Sequence, residues 1–115
     1  MSAATHNFVI DQGADWYATF VYSDSAGTAI NLTGYTAALQ IRDTYADSTT
    51  DLALTVGSGI TITAASGKID VRATAAQTGA IAAGQYVYDL EITSSGGVVT
   101  RLVQGKITIS PQVTR

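Results

Sequence analysis

Asp89 and Glu91 stand two residues apart in an alternating run. Both therefore project from one face of a strand, with carboxylates about 7 Å apart, a spacing formally compatible with an inverting glycosidase pair. Such spacing is common by chance. A solvated outer face, with Lys106 or Arg72 as cross-strand partners, is the simpler reading. The only histidine is His6, beside no second His, Cys or carboxylate cluster. A metal site needs three or four convergent ligands, so His6 reads as an exposed residue available for contact with a neighbouring subunit. Asp43, Asp47 and Asp51 space carboxylates through a polar stretch but lack the glycine and closing glutamate of a calcium loop. No serine sits in G-x-S-x-G, and Gly57-Ser58-Gly59 precedes a strand pattern, so it is a turn and not a phosphate cradle. Trp16, Tyr17, Tyr22, Tyr35, Tyr86 and Tyr88 have the types of a sugar-stacking platform, but such aromatics more often form core. Tyr45 differs, because it lies in the polar stretch where an exposed aromatic serves as a contact anchor.

No catalytic, cofactor-binding or metal residue is assigned from these patterns, and the chain is expected not to be an enzyme. Composition agrees. The six basic residues are scattered and the formal net charge is −3. No run of them could track a phosphate backbone, so nucleic acid is not an expected partner. No apolar run approaches the roughly 20 residues of a membrane-spanning helix, so no membrane partner is expected. The absence of cysteine excludes disulfides and thiolate metal sites. The opening MSAATHNF has neither the basic nor the apolar region of a signal peptide.

The elements that must position these residues are strands. Thr and Ser are abundant and long charged helix formers scarce, which favours β over α. At 115 residues the chain fits one domain. Short alternating runs fall at 7–11, 16–23, 35–42, 52–56, 60–63 and 68–73, separated by turn residues every 8–12 positions. In 16–23 both faces carry bulk, so this strand is expected to be covered on both sides. Ala37, Leu39 and Ile41 share a core face, as do Ile69 and Val71. Residues 74–83, rich in alanine, form the one helix-like piece, limited by Gly79 to a turn or two. Residues 84–110 form a long hairpin. If Gly96-Gly97 is a two-residue I′ loop, Ser95 pairs with Val98, Ile92 with Arg101, Leu90 with Val103 and Tyr88 with Gly105. Val99, Val103, Ile107 and Ile109 then share the core face with Tyr86 and Tyr88, Gly105 leaves room for a ring, and Arg101 is that face's awkward member. A bulge at Gly105 is the competing register.

The expected fold is all-β: a β-sandwich or small barrel of about 7–9 short antiparallel strands with one short helical turn. Residues 1–6 form an arm, 7–110 the sandwich and 111–115 a tail. Working surfaces are expected in the arm, the 43–51 loop and the tail. The candidate partner contacts are His6, Tyr45, Asp47, Thr114 and Arg115.

Two stretches also carry a family resemblance. Asn31-Leu32-Thr33-Gly34-Tyr35-Thr36, followed by Leu39-Gln40-Ile41-Arg42, resembles the turn entering a strand in the N-terminal domain of phage baseplate upper proteins. The run from Gly84 to Glu91, with that from Gly96 to Gly105, is similar to a hairpin of many short phage proteins, which often end, as here, in Pro-x-Val-Thr-Arg. The resemblance implies a single immunoglobulin-like β-sandwich in a non-enzymatic tailed-phage virion protein, made in the host cytoplasm and acting as a tail, baseplate or neck adaptor or fibre-attachment module. Its partners would be other phage structural proteins, in a homo-oligomer or symmetric array. A capsid decoration protein is the alternative reading, and a carbohydrate or host-surface binding module the second.

Overall fold

The computed structural model describes residues 4–44 and 50–113. Among the described residues nine strands form one curled sheet: β1 (Ala4–Thr5), β2 (Phe8–Asp11), β3 (Trp16–Val21), β4 (Thr36–Arg42), β5 (Leu52–Val56), β6 (Gly59–Thr63), β7 (Lys68–Ala73), β8 (Gly84–Thr93) and β9 (Val99–Ser110). The pairing order is β1-β9-β8-β4-β5-β6-β7-β3, with β2 also on β9. The all-β, sandwich-like expectation therefore holds. Among the described residues no helix is long and apolar enough to cross a membrane.

The sheet curls because its apolar residues fall at alternate positions and must meet one another. In β4, Ala37, Leu39 and Ile41 point inward, and in β7 Ile69 and Val71 do so, as their spacing predicts. β8 supplies Tyr86, Tyr88, Leu90 and Ile92, all buried. Curling brings the two ends of the pairing order face to face. The Phe8 ring of β2 lies 5.3 Å from Trp16 and 6.0 Å from Phe20, both on β3. The helical piece is α1 (Ala75–Gly79), with Thr74 and Gln77 closing a capping box at its start.

Most strand pairs are antiparallel, but β5 runs parallel to β6. β1 and β2 run parallel to β9, with Ala4 opposite Val103 and Phe8 opposite Ile107. Both pairs keep one offset, so residues 4–11 act as a single strand interrupted at His6 and Asn7. Residues 4 and 5, read as part of an arm, are thus at the sheet edge.

The β8–β9 hairpin departs from the expected register near its tip. Only Gly97, at φ 89°, adopts a left-handed conformation there, whereas an I′ loop needs two such residues. The loop instead has three residues, 95–97, closed by the Ser94 N–H donating to the Val98 carbonyl at 2.9 Å. The extra residue shifts the pairing by one, so Ile92 meets Thr100 and Glu91 meets Arg101. A bulge then leaves Leu102 without an opposite residue and restores the expected pairs, Leu90 with Val103 and Tyr88 with Gly105. The bulge is at Leu102 and not at Gly105. Two consequences correct the sequence reading. Val99 is exposed, not core. Arg101 leaves the core face, where an unpaired guanidinium would have been costly.

Candidate functional site

Arg101 now lies on the outer face between the two carboxylates that opened the chemical search. Its Nε is 3.4 Å from Asp89 and 4.0 Å from Glu91. Arg72, an expected partner, pairs with Asp15 instead, at 3.6 Å. Around the Arg101 cluster, Gln40, Arg42 and Ala38 of β4 complete an open groove of about 450 Å³. Both carboxylates lean on one guanidinium, so they form a surface ion-pair ladder, worth about 0–1 kcal/mol per pair. The Arg101 guanidinium contacts both, where a glycosidase pair must leave room for the sugar between its carboxylates.

The sugar-stacking reading also fails on geometry. Trp16, Tyr86 and Tyr88 are buried in the core, and Tyr22 and Tyr35 are partly buried against it. Of the tyrosines, Tyr17 alone among the described residues is a largely exposed ring, with the Arg72 guanidinium 5.4 Å from its centre.

Of the five candidate contact residues, the structure describes one. Tyr45, Asp47, Thr114 and Arg115 lie outside the described residues. His6 is exposed at the break between β1 and β2, its ring edge-on to Phe8 at 4.5 Å. Its backbone matters more than its imidazole. The His6 N–H donates to the Gln104 carbonyl at 2.9 Å, as a parallel ladder requires. Its carbonyl turns inward and accepts the Tyr88 hydroxyl at 2.6 Å. The Asn7 side-chain oxygen accepts the Lys106 N–H at 2.9 Å, taking the place the carbonyl vacates. Gly105 makes this possible, because a β-carbon there would collide with the His6 carbonyl.

Burial pushes the Tyr88 hydroxyl from 10.0 up to about 12. Burial also raises Tyr86, with Asp51 and Asp43 adding to the effect. The sign of the linkage follows. The unfolded phenol ionises near 10 and the folded one near 12, so the contribution of Tyr88 is complete below pH 10 and is lost as pH rises through 12. Melting temperature is expected to fall over that window, and to fall less steeply in Tyr88→Phe. Identical slopes for the two proteins would show that this hydroxyl is not the group responsible.

The second notable place is β3, the other end of the pairing order. The Tyr22 N–H donates to the Gly67 carbonyl at 2.8 Å, which fixes the alternation of the β3–β7 ladder. The N–H and C=O groups of Tyr17, Thr19 and Val21 consequently point away from β7, along an edge that carries no strand among the described residues. Tyr17 is 65% and Val21 58% exposed, so the expectation that this strand is covered on both sides is corrected. Beside the edge, a slot of about 440 Å³ opens between β3 and the β1–β2 strand, with Phe8, Ala18, Phe20 and Val103 among its lining. Sequence reasoning missed this site. Its signal was present in the outward set Tyr17, Thr19 and Val21, which carries no charge.

No family profile matches the chain, and no curated protein matches it. Solved structures do. The soluble domain of PmoD from Methylocystis sp. ATCC 49242 (Rockwell) aligns with a TM-score of 0.50 at 15% identity, over 89% of this chain and 77% of that one. CopC from Methylosinus trichosporium OB3b aligns with a TM-score of 0.50 at 13% identity, over 100% of this chain and 90% of that one.

These matches support the fold and overturn the phage resemblance, since neither is a virion protein. The tail, baseplate or neck role, its capsid and host-surface alternatives and the virion address fall with it. The motifs that carried the resemblance are local strand chemistry. The Asn31 side chain accepts from the Thr33 N–H at 2.9 Å, the Tyr35 N–H donates to the Leu32 carbonyl at 3.0 Å, and Gly34 takes φ 81°. Any sandwich needing a tight entry to a central strand can use that turn.

Proposed function

We propose that this chain is a non-catalytic β-sandwich module that binds protein by strand addition along the open edge of β3. The observation that carries the reading is the row of outward backbone groups at Tyr17, Thr19 and Val21. Natural sheets guard such edges with lysine, proline, bulges or covering segments. β3 has six regularly paired residues and none of those side chains. A second copy of the chain fits this edge. In an antiparallel pair centred on Thr19, Tyr17 of each copy faces Val21 of the other, an aromatic against a β-branched residue, and threonine faces threonine.

Sedimentation velocity of the full chain at rising concentration tests this. The native protein is expected to shift toward dimer, and Val21→Lys, which places a charge on the edge, to stay monomeric. A native chain that stays monomeric throughout, or a variant that associates equally well, would overturn the reading.

The likeness to PmoD and CopC, at 15% and 13% identity, shows the fold alone. The described residues do not supply a metal site. The chain has one histidine and no cysteine, and among the described residues no group of three or more His, Cys, Asp or Glu could hold an ion. The shared fold brings no donor set with it.

A further inference from the structure

We propose that the β9 edge is a strand-acceptor site, and that two copies of this chain can trade their N-terminal strands, each seating residues 4–11 on the other's β9. This goes beyond the β3 reading and rests on different residues.

The acceptor is built for its strand. Gly105 leaves the space that the His6 carbonyl enters, Tyr88 supplies the hydroxyl that the carbonyl accepts, and the Lys106 N–H donates to the Asn7 side-chain oxygen. Apolar anchoring comes from Phe8 and Ile10, which enter the core from the same strand. Residues 4–11 pair with no strand but β9 among the described residues.

Exchange breaks contacts only at the hinge. The strand is joined to the sandwich only through residues 12–15, a turn in which the Ala14 N–H donates to the Asp11 carbonyl at 3.1 Å. Opening that turn releases the Gly13 N–H from the Thr78 hydroxyl, that hydroxyl from the Ala14 carbonyl, the Ala75 N–H from the Asp15 carboxylate, and the Gln12 side chain from the Ile81 carbonyl and the Gln112 N–H. Every contact on β9 is then remade by the second copy's identical strand, which is the condition under which domain swapping is cheap. Because Phe8 and Ile10 are core residues, exchange proceeds when copies fold together and not by simple mixing.

The chain has no cysteine, which gives a direct test. Thr5 and Gln104 face each other in register. Full-length Thr5→Cys and full-length Gln104→Cys are unfolded in urea, mixed, refolded together and treated with a short bis-maleimide. A cross-linked heterodimer is expected, its yield rising with refolding concentration as mass action requires. The double variant Thr5→Cys/Gln104→Cys, refolded dilute, is expected to cross-link within one chain, showing that both changes leave the strand seated. Thr5→Cys refolded with Val56→Cys, an exposed position on β5, is expected to give no heterodimer. The Val21→Lys change in both partners is expected to leave the yield unaltered, which separates this result from pairing through β3. Cross-linking confined to the double variant at every concentration would overturn the proposal. So would an equal heterodimer yield with Val56→Cys.

Discussion

Gly105→Ala is expected to unseat the N-terminal strand and lower stability by more than any surface change. The added methyl has nowhere to go. It meets the His6 carbonyl oxygen and carbonyl carbon and the Asn7 side-chain oxygen, and two of those three atoms are backbone. Forcing a group into a filled site costs about 1–3 kcal/mol when neighbours can adjust. Here the adjustment is for residues 4–7 to lift from β9, which breaks the Tyr88 and Lys106 hydrogen bonds together. If the strand leaves as far as Ile10, burial of Phe8 and Ile10 is lost as well, at roughly 1.5–3 kcal/mol for each side chain. Hydrogen exchange separates the outcomes. Protection is expected to fall selectively at residues 4–11 while the β4 and β8 amides stay protected. Native-like protection at Ile10 and an unchanged melt would refute this account of the strand's seat.

Leu90→Ala is expected to cost about 2–5 kcal/mol, the range for removing a fully buried leucine side chain. Leu90 is inaccessible to solvent, on a strand flanked on both sides. It faces Leu39 on β4 and Val103 on β9, so three apolar side chains from adjacent strands meet there. Backbone hydrogen bonds on both sides hold these strands in place, so the cavity cannot easily collapse. Against a typical total stability of about 5–15 kcal/mol, the loss is large enough to show as a clear fall in the urea midpoint at unchanged slope. A midpoint within error of the native protein would mean that the core is not centred on this hairpin.

What the sequence made legible was periodicity. Alternation placed Leu39, Ile69, Val71, Tyr88 and Leu90 on the core face, and the turn residues divided the chain close to its true boundaries. Alanine content located α1, although the capping box of Thr74 and Gln77 went unread. The failures share a cause: a pattern along the chain does not say which strands become neighbours. Residues 7–11 were read as a strand, but nothing local announces that its partner is β9 or that the pairing is parallel. The bulk on both faces of residues 16–23 pointed to a covered strand, yet β3 ends the pairing order, and only topology decides that. In the hairpin, Gly96-Gly97 fits a two-residue loop as well as the three-residue loop that forms. The charges decide more firmly at Arg101, where burial beside tyrosines loses to the outer face with Asp89 and Glu91. Four of the candidate contacts, Tyr45, Asp47, Thr114 and Arg115, lie outside the described residues, and no residue type marks where a backbone edge is left open.

The pairing of β1 and β2 with β9 also orders events in time. Asn7 and Lys106 are 99 positions apart, so the contact that seats the N-terminal strand joins nearly the whole length of the chain. On a ribosome adding roughly 5–20 residues per second, Phe8 and Ile10 leave the tunnel several seconds before any part of β9 exists to receive them. The rest of the sandwich can collapse around β4, β5, β6 and β7 in that interval, while the first apolar strand made remains without its partner. Placing it is a late step with a large loop to close, and so a slow one. Nascent chains crowded on one messenger would therefore hold several waiting strands at once.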